Sequence, residues 1–252
     1  MTTPMPSLPE SEWTARCELA ALYRLLAHFR MTDLIDTHIS LRLEDGSNHF
    51  LINRYGVLFE HMKASDLVRI DSEGQVVDRY FPDHRVNRAG FVIHSAIHAA
   101  RPDLHCVIHT HTAAGIAVSA QAKGLLPISQ HALKFYNRLG YHRYEGIALR
   151  VAEREQLVRD LGPHSAMILC NHGLLAAGPS AAHAFQTIFM LERACQAQVQ
   201  ALAGNGELIL PDADTCEFTA QQFEQDDEAG LIDLGWRAAL TLIEGQRQEY
   251  CA

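Results

Sequence analysis

Long apolar runs are missing from this 252-residue sequence. Runs such as residues 167–170 and 106–108 are far shorter than the roughly 20 residues that a membrane-spanning helix needs. The N-terminus contains three prolines but neither a basic start nor an apolar core, so it lacks the form of a secretion signal. We therefore expect no membrane segment, and we expect residues 1–12 to form a flexible tail.

Basic residues are also few and scattered. The sequence has 21 Lys and Arg against 30 Asp and Glu, a formal net charge of −9, whereas a nucleic-acid surface requires clustered Lys and Arg. We therefore expect no nucleic-acid partner. Part of the acidic surplus lies in residues 224–228, which we interpret as a solvated helix face.

The six cysteines include no CxxC pair and show no disulfide-scaffold spacing. This usage suits a reducing compartment, so we expect a cytoplasmic protein. The length and the hydrophobic content of 48% are ordinary for one globular α/β unit. We therefore expect residues 13–252 to form a single domain.

Apolar residues at helical spacing predict several helices. The first covers residues 13–29, with Ser11 as its N-cap, and the longest runs from Ala181 to about Ala203, with Ser180 as its N-cap. Shorter helices are predicted at residues 91–100, 113–122 and 153–161, and a helical C-terminal segment from about residue 219.

Strand signals alternate with these helices. Residues 37–43 and 50–53, joined by the turn signal Asp45-Gly46, predict a β-hairpin, and residues 68–71 with 75–77 predict another. Residues 106–111 and 166–170 predict buried strands. Hairpins mixed with scattered helices favour an α/β fold with a mostly antiparallel or mixed sheet covered by helices.

Two histidines one residue apart end the strand at residues 106–111. Positions i and i+2 of a strand project from the same face, so His109 and His111 can direct two imidazoles to one point. A third imidazole, His172, follows the apolar run 166–170, and Gly173 after it permits a sharp turn. Three histidines are the protein ligands of one kind of catalytic zinc site. The pair alone is equally compatible with two histidines on a half-exposed strand.

The surrounding sequence resembles the class II aldolase/adducin family, and more closely its adducin-like branch than the sugar-phosphate aldolases. The landmarks are ARPD at residues 100–103, HTHT at 109–112, AVSA at 117–120, GLLPIS at 124–129 and NHG at 171–173, with GVLFEHMKASDLVRID at 56–71. The resemblance covers roughly residues 15–215.

The resemblance implies a three-layer α/β/α sandwich and a divalent metal, most readily Zn²⁺, held by His109, His111 and His172. It further implies a homo-oligomer, and a tetramer in particular, with the site at a subunit boundary. In the aldolases a glutamate on the helix before the HxH strand serves as acid/base, but Gly90 takes its place here. Arg88 and Ala89 replace the hydroxyl residues that bind substrate phosphate in the aldolases. Retro-aldol cleavage of a sugar phosphate by the standard route is therefore not expected.

Several further residues are candidates for the site. The resemblance points to Tyr141, ahead of Tyr144, as a proton donor, and to His38 and Asn53 as substrate-binding residues. Glu145 and Glu60 are nearby carboxylates, but nothing in the sequence brings either to the metal. His94 and His98, four residues apart, could clamp a metal, yet neither falls on a ligand position of the family, and we interpret them as structural.

Two classes of function remain open. The first is a metal-dependent lyase-like enzyme that acts on a small oxygenated carbonyl compound, without a phosphate, by stabilising an enediolate. The second is a non-catalytic module like the adducin head, with a structural or vestigial metal site and a protein partner. Adducins carry a long basic tail that this sequence does not show, which favours the enzyme.

Overall fold

A seven-stranded sheet lies at the centre of the protein. The computed structural model describes residues 8–146, 151–226 and 229–252, except for the side chains of residues 88, 89 and 151–153. Residues 1–7 of the expected tail and residues 227–228 of the acidic run lie outside the described residues, as do the side chains of Arg88 and Ala89.

The strand order is β3-β2-β1-β4-β7-β6-β5. All neighbours pair antiparallel except β5 and β6, which are parallel. This confirms the expected mostly antiparallel, mixed sheet. The strands are β1 (His38–Arg42), β2 (Phe50–Asn53), β3 (Leu67–Ile70), β4 (Cys106–Thr110), β5 (Gly140–His142), β6 (Ala166–Leu169) and β7 (Gly173–Gly178).

Helices cover both faces of the sheet, which confirms the three-layer α/β/α sandwich. On one face α1 and α6 pack on the larger apolar core, and on the other α2 and α5 pack on a smaller one. The helices are α1 (Glu10–His28), α2 (Arg88–Ala100), α3 (Ala113–Ser119), α4 (Gln130–Leu133), α5 (Val151–Leu161), α6 (Ala181–Ala203), α7 (Ala213–Glu224), α8 (Leu231–Leu240) and α9 (Arg247–Tyr250). Among the described residues, none of these helices combines the length and apolarity needed to cross a bilayer.

Alternation along β4 decides where the site forms. Cys106 and Ile108 belong to the core under α1 and α6, whereas Val107 belongs to the core under α2 and α5. His109 shares the face of Val107 because side chains two residues apart project to the same side. His38 pairs with His109 across β1 and β4. The face under α2 therefore carries both imidazoles.

Several boundaries differ from the sequence prediction. Helix α1 begins at Glu10 after Pro9, so Ser11 lies inside it and is not its N-cap; two glutamates in the first turn complement the positive end of the helix. Helix α7 begins at Ala213, where the Asp212 side chain accepts a hydrogen bond from Thr215 N, earlier than the expected residue 219. Ser180 does cap α6 as predicted.

The sequence does not predict α4, β5 and β7, nor the 3₁₀ turns at Phe59–His61 and Ala64–Asp66. The Leu-Leu-Ala-Ala stretch inside β7 has no β-branched residue to indicate a strand. The second predicted hairpin is reduced to a single bridge between Ile70 and Val76.

Candidate metal centre

Strand β4 holds His109 in the sheet with its ring orientation fixed. The side chain is buried, and Nδ1 donates to the carbonyl oxygen of Leu174 at 2.9 Å. Because Nδ1 carries the proton, Nε2 is left with a free lone pair. His109 therefore presents Nε2 as a ligand atom.

His111 follows the end of β4 and is oriented by a carboxylate. Its Nδ1 lies 3.0 Å from Oδ2 of Asp33, in the loop between α1 and β1. A histidine that ligates a metal usually donates its other ring nitrogen to a carboxylate or carbonyl, which fixes the tautomer and raises ligand basicity. Asp33 was missed at the sequence level because 78 residues separate it from His111.

His172 lies in the tight turn between β6 and β7. Asn171 adopts the left-handed conformation, with φ of 56°, and the His172 amide donates to Leu169 O at 3.0 Å. Gly173 is required for a different reason from the one expected: a Cβ there would overlap the carbonyl oxygen of Thr110. The turn is therefore made by Asn171, and Gly173 permits close approach of β7 to β4.

The three Nε2 atoms converge. They are 2.8 Å apart between His109 and His111, 2.9 Å between His111 and His172, and 3.3 Å between His109 and His172. A tetrahedral site with Zn–N bonds of about 2.0–2.1 Å has ligand atoms about 3.3 Å apart. Three facing lone pairs repel one another, and a cation removes that repulsion. The donor set therefore fits a divalent metal ion.

The electrostatics keep two of these rings, His109 and His172, unprotonated. Burial, followed by the charges of His111 and His142, lowers the pKa of His172 to about 4. Burial and the neighbouring imidazoles, His38 first, hold the pKa of His109 well below 6.5. Neutral imidazole is the form that binds a metal, so His109 and His172 are in that form near neutral pH.

His38 occupies the space that a side chain at position 90 would fill. A Cβ built on Gly90 would overlap the ring atoms Cδ2 and Nε2 of His38. The His38 ring also lies edge to face with the His109 ring, at 5.2 Å between centroids. Burial lowers the pKa of His38 to about 3. A neutral imidazole thus stands next to the place where the aldolases carry their glutamate.

The other histidines on α2 extend this buried polar cluster. Ser40 Oγ lies 2.7 Å from His94 Nδ1 and 2.7 Å from His98 Nε2, and His98 Nδ1 lies 3.1 Å from Leu104 O. These contacts tie α2 to β1. They support the structural interpretation of His94 and His98.

A cleft opens beside His172, between α2 and α5. Its empty space of about 440 Å³ includes the open mouth, and little of it is enclosed. Tyr144 stands at its edge, with its ring centroid 6.3 Å from that of His172. The polar lining further includes His142, Arg143, Glu145, Arg154 and Cys170. Of the three clustered histidines, His172 lines this cleft.

The remaining candidates lie elsewhere. Tyr141 points to the loop before α4, where its hydroxyl accepts a hydrogen bond from Leu125 N at 3.0 Å. Asn53 is buried against α1, with Oδ1 2.9 Å from the Tyr23 hydroxyl. Glu60 is exposed in a 3₁₀ turn. Within this chain Tyr144, not Tyr141, is the tyrosine beside His172, and the roles expected for Tyr141 and Asn53 remain predictions.

The sequence model of one protein family, described as class II aldolase and adducin N-terminal domain, matches residues 17–199 of this chain. Among solved structures, an aldolase II superfamily protein from Pseudomonas syringae is similar to this chain with a TM-score of 0.92 and 48% identity, over 98% of each chain. An L-fuculose 1-phosphate aldolase from Glaciozyma antarctica PI12 is similar with a TM-score of 0.83 and 31% identity, over 99% of this chain and 96% of the aldolase chain.

The adducin branch is equally evident. The chain is 44% identical to alpha-adducin of Rattus norvegicus over 215 residues. That match covers 82% of this chain but 29% of the adducin. The similarity therefore concerns one part of alpha-adducin and leaves most of its length without a counterpart in the alignment.

Proposed function

The chain belongs to the class II aldolase and adducin family, and from this we propose that it is a metal-dependent, lyase-like enzyme acting on a small oxygenated carbonyl compound. The observation that carries the proposal is the convergence of three Nε2 atoms beside an open cleft. A site closed by a fourth protein ligand is typical of structural zinc, whereas a site with an open position is typical of catalytic zinc. In the described residues, ligand atoms of three histidines lie within 4.8 Å of one another, which supports the proposal.

In this proposal His109, His111 and His172 hold a divalent ion, most readily Zn²⁺. When bound, the ion supplies Lewis-acid polarisation of a carbonyl oxygen. The chain's own contribution is orientation: Leu174 O fixes the His109 ring and Asp33 fixes the His111 ring. His38 fills the space over Gly90 and keeps it free of solvent.

The cleft indicates an anionic carbonyl substrate. Arg143 and Arg154 both line it, and Nε of Arg154 is buried without a hydrogen-bond partner among the described residues. Guanidinium groups bind carboxylates with good geometry. Guanidinium groups bind phosphates as well, so the preference against sugar phosphates rests on Arg88 and Ala89 in place of the hydroxyl residues of the aldolases. Small 2-keto acids are therefore the substrates we propose first, and hydroxyketones are proposed as weaker, uncharged ones.

The alternative is a non-catalytic module like the adducin head, which binds a protein partner. It is favoured by the similarity to alpha-adducin and by Gly90 in the place of the family glutamate. An intact three-histidine cluster with oriented rings argues against a vestigial site. Among the described residues no fourth ligand joins this cluster, which argues against a structural metal and favours the enzyme.

The test begins with metal content. Protein expressed in medium supplemented with zinc and manganese is expected to hold about one transition metal per chain, and His109→Ala is expected to lose it. His105→Ala is the matched control. Among the described residues, the His105 ring makes one hydrogen bond, to the exposed side chain of Glu44. A metal-free wild type, or a His109→Ala variant with unchanged metal content, would contradict the proposal.

The second measurement is catalysis. Metal-loaded protein is expected to exchange the protons next to the carbonyl of pyruvate, 2-oxobutyrate or dihydroxyacetone in D₂O, monitored by NMR, and chelator-treated protein is not. L-fuculose 1-phosphate serves as the phosphorylated comparison. Absence of exchange across this panel would favour the adducin-like module.

We also propose that the chain forms a homo-oligomer, with a tetramer as the expected state. Helices α7 and α8 and the 3₁₀ turn after α8 expose several large apolar side chains, and apolar side chains left exposed in this way favour an interface where they form one patch. These residues are Phe218, Leu231, Leu234 and Leu242. Light scattering after size-exclusion chromatography measures the state directly, and Leu234→Glu is expected to weaken the assembly.

A further inference from the structure

A histidine–aspartate pair joins β5 to α5 at the edge of the cleft. Nδ1 of His142 lies 2.7 Å from Oδ2 of Asp160, and the other carboxylate oxygen of Asp160 accepts from Gln156 Nε2 at 2.6 Å. Gln156 and Asp160 stand four residues apart and so share one face of α5. The carboxylate is thus held from one side by Gln156 and directed at the imidazole.

Sheet register brings this pair to the metal centre. His142 is paired with Leu169 in the parallel β5–β6 ladder, and Leu169 is paired with Gly173 in β7. These three residues form one row across the sheet, and His172 lies in the turn that connects the last two. The Cys170 amide donates to His142 O at 2.8 Å. His142 and His172 then line the same cleft.

The pair leaves one nitrogen of His142 available. A carboxylate accepts a hydrogen bond from Nδ1–H, and in the neutral ring this leaves the lone pair on Nε2. Nε2 makes no hydrogen bond to the described part of the chain, and the side chain is 12% exposed on the cleft side. An imidazole with a free Nε2 and an orienting carboxylate on Nδ1 is the arrangement of a general base.

We propose that His142 is the proton-transfer residue of this site and that Asp160 positions it, in place of the glutamate that Gly90 lacks. This inference rests on the proposed function. In the step, the C–H bond next to the substrate carbonyl breaks and its electron pair forms a C=C bond. The π pair of the carbonyl moves onto its oxygen, which gives an enolate (an enediolate from a hydroxyketone), and the proton goes to Nε2 of His142. Return of that proton to carbon completes the exchange, so no oxidant or reductant is needed.

A purely structural tie between β5 and α5 is the competing explanation. It predicts that loss of the His142 ring changes stability but not ligand binding or catalysis. Proton transfer by His142 predicts that loss of the ring lowers ligand affinity and the reaction rate, because a positioned base accounts for a factor of about 10² to 10⁴ in rate. The tautomer of His142 separates the two further, since a base requires an unprotonated Nε2.

The experiment compares metal-loaded wild type, His142→Gln, Asp160→Asn and the surface control His105→Gln. Metal content is expected to be equal in all four. Proton exchange is expected to fall at least about 100-fold in His142→Gln. The dissociation constant for glycolohydroxamate, an enediolate mimic, is expected to rise about 10-fold there, measured by calorimetry. ¹⁵N NMR is expected to show Nδ1–H with an unprotonated Nε2 in the wild type, and a lower population of this tautomer in Asp160→Asn.

The outcomes separate this inference from the proposed function. Wild type that binds glycolohydroxamate through His142 but exchanges no protons overturns the proposed reaction and with it proton transfer by His142, while the contact between His142 and the ligand stands. His142→Gln with unchanged metal, exchange rate and hydroxamate affinity overturns the role of His142 alone. Protonation of Nε2 in the wild type, or a wild type that binds no hydroxamate, also overturns that role. If His142→Gln does not fold, Asp160→Asn decides, because it keeps the shape of the side chain while removing its charge.

Discussion

Substitution of Gly90 by alanine tests whether His38 has taken the space of the family glutamate. In an ordinary helix this change stabilises by up to about 1 kcal/mol, because glycine is the poorer helix former. Here the new Cβ would approach the His38 ring about 1 Å inside the usual contact distance of about 3.5 Å. Overpacking of a buried ring costs about 1–3 kcal/mol. We therefore expect Gly90→Ala to lower the free energy of unfolding by about 1–2 kcal/mol.

A double-mutant cycle isolates this overlap. Alanine at position 38 removes the ring, so Gly90→Ala in the His38→Ala background is expected to be neutral or stabilising, with a coupling energy of about 1–3 kcal/mol. Urea unfolding of metal-free protein measures all four corners of the cycle, with tryptophan fluorescence as the probe. If Gly90→Ala is as stable as wild type while His38 is present, the two residues do not compete for space and the reasoning is wrong.

Three further predictions concern stability and the metal. Asp33→Asn is expected to weaken zinc binding by about 10- to 100-fold, measured by competition with a chromogenic chelator, because the carboxylate orients His111; unchanged affinity would contradict that role. Burial, as the first cause, lowers the pKa of His98 to about 3, so the folded state resists protonation of His98 and stability is lost as the pH falls from about 6.5 towards 3. His98→Gln should therefore reduce the slope of the free energy of unfolding between pH 6 and pH 4 by about 1.4 kcal/mol per pH unit. An unchanged slope would refute this. Gly173→Ala should destabilise by about 1–3 kcal/mol and lower the metal content, because its Cβ would overlap Thr110 O, and a variant with wild-type metal content and stability would argue against this tight approach.

The sequence is a good guide to elements whose pattern is local. Alternation along one strand predicts that His109 and His111 share a face, and turn signals predict the hairpin of β1 and β2. Capping chemistry within a few residues predicts the Ser180 cap. Strand β7 escapes this logic, because its leucines and alanines are buried on both faces and carry no alternation. The tertiary structure, rather than local propensity, makes that stretch a strand.

The residues around the metal ligands could not be found in the same way. Asp33 meets His111 across 78 residues, and Asp160 meets His142 across 18 residues that include a helix. Aspartates are common on surfaces, so neither has a local signal that distinguishes it. Only the fold determines which aspartate contacts which imidazole.

The two sides of the metal centre have opposite characters. Beside β1, His38 fills the space next to Gly90 and is buried, which leaves no space for a side chain there. Between α2 and α5 a cleft is lined by both His142 and His172. A family glutamate would act from the first side, whereas the proton transfer proposed for His142 uses the second. It follows that His38→Ser with Gly90→Glu, which reopens the first side and supplies a carboxylate, should make proton exchange less dependent on His142.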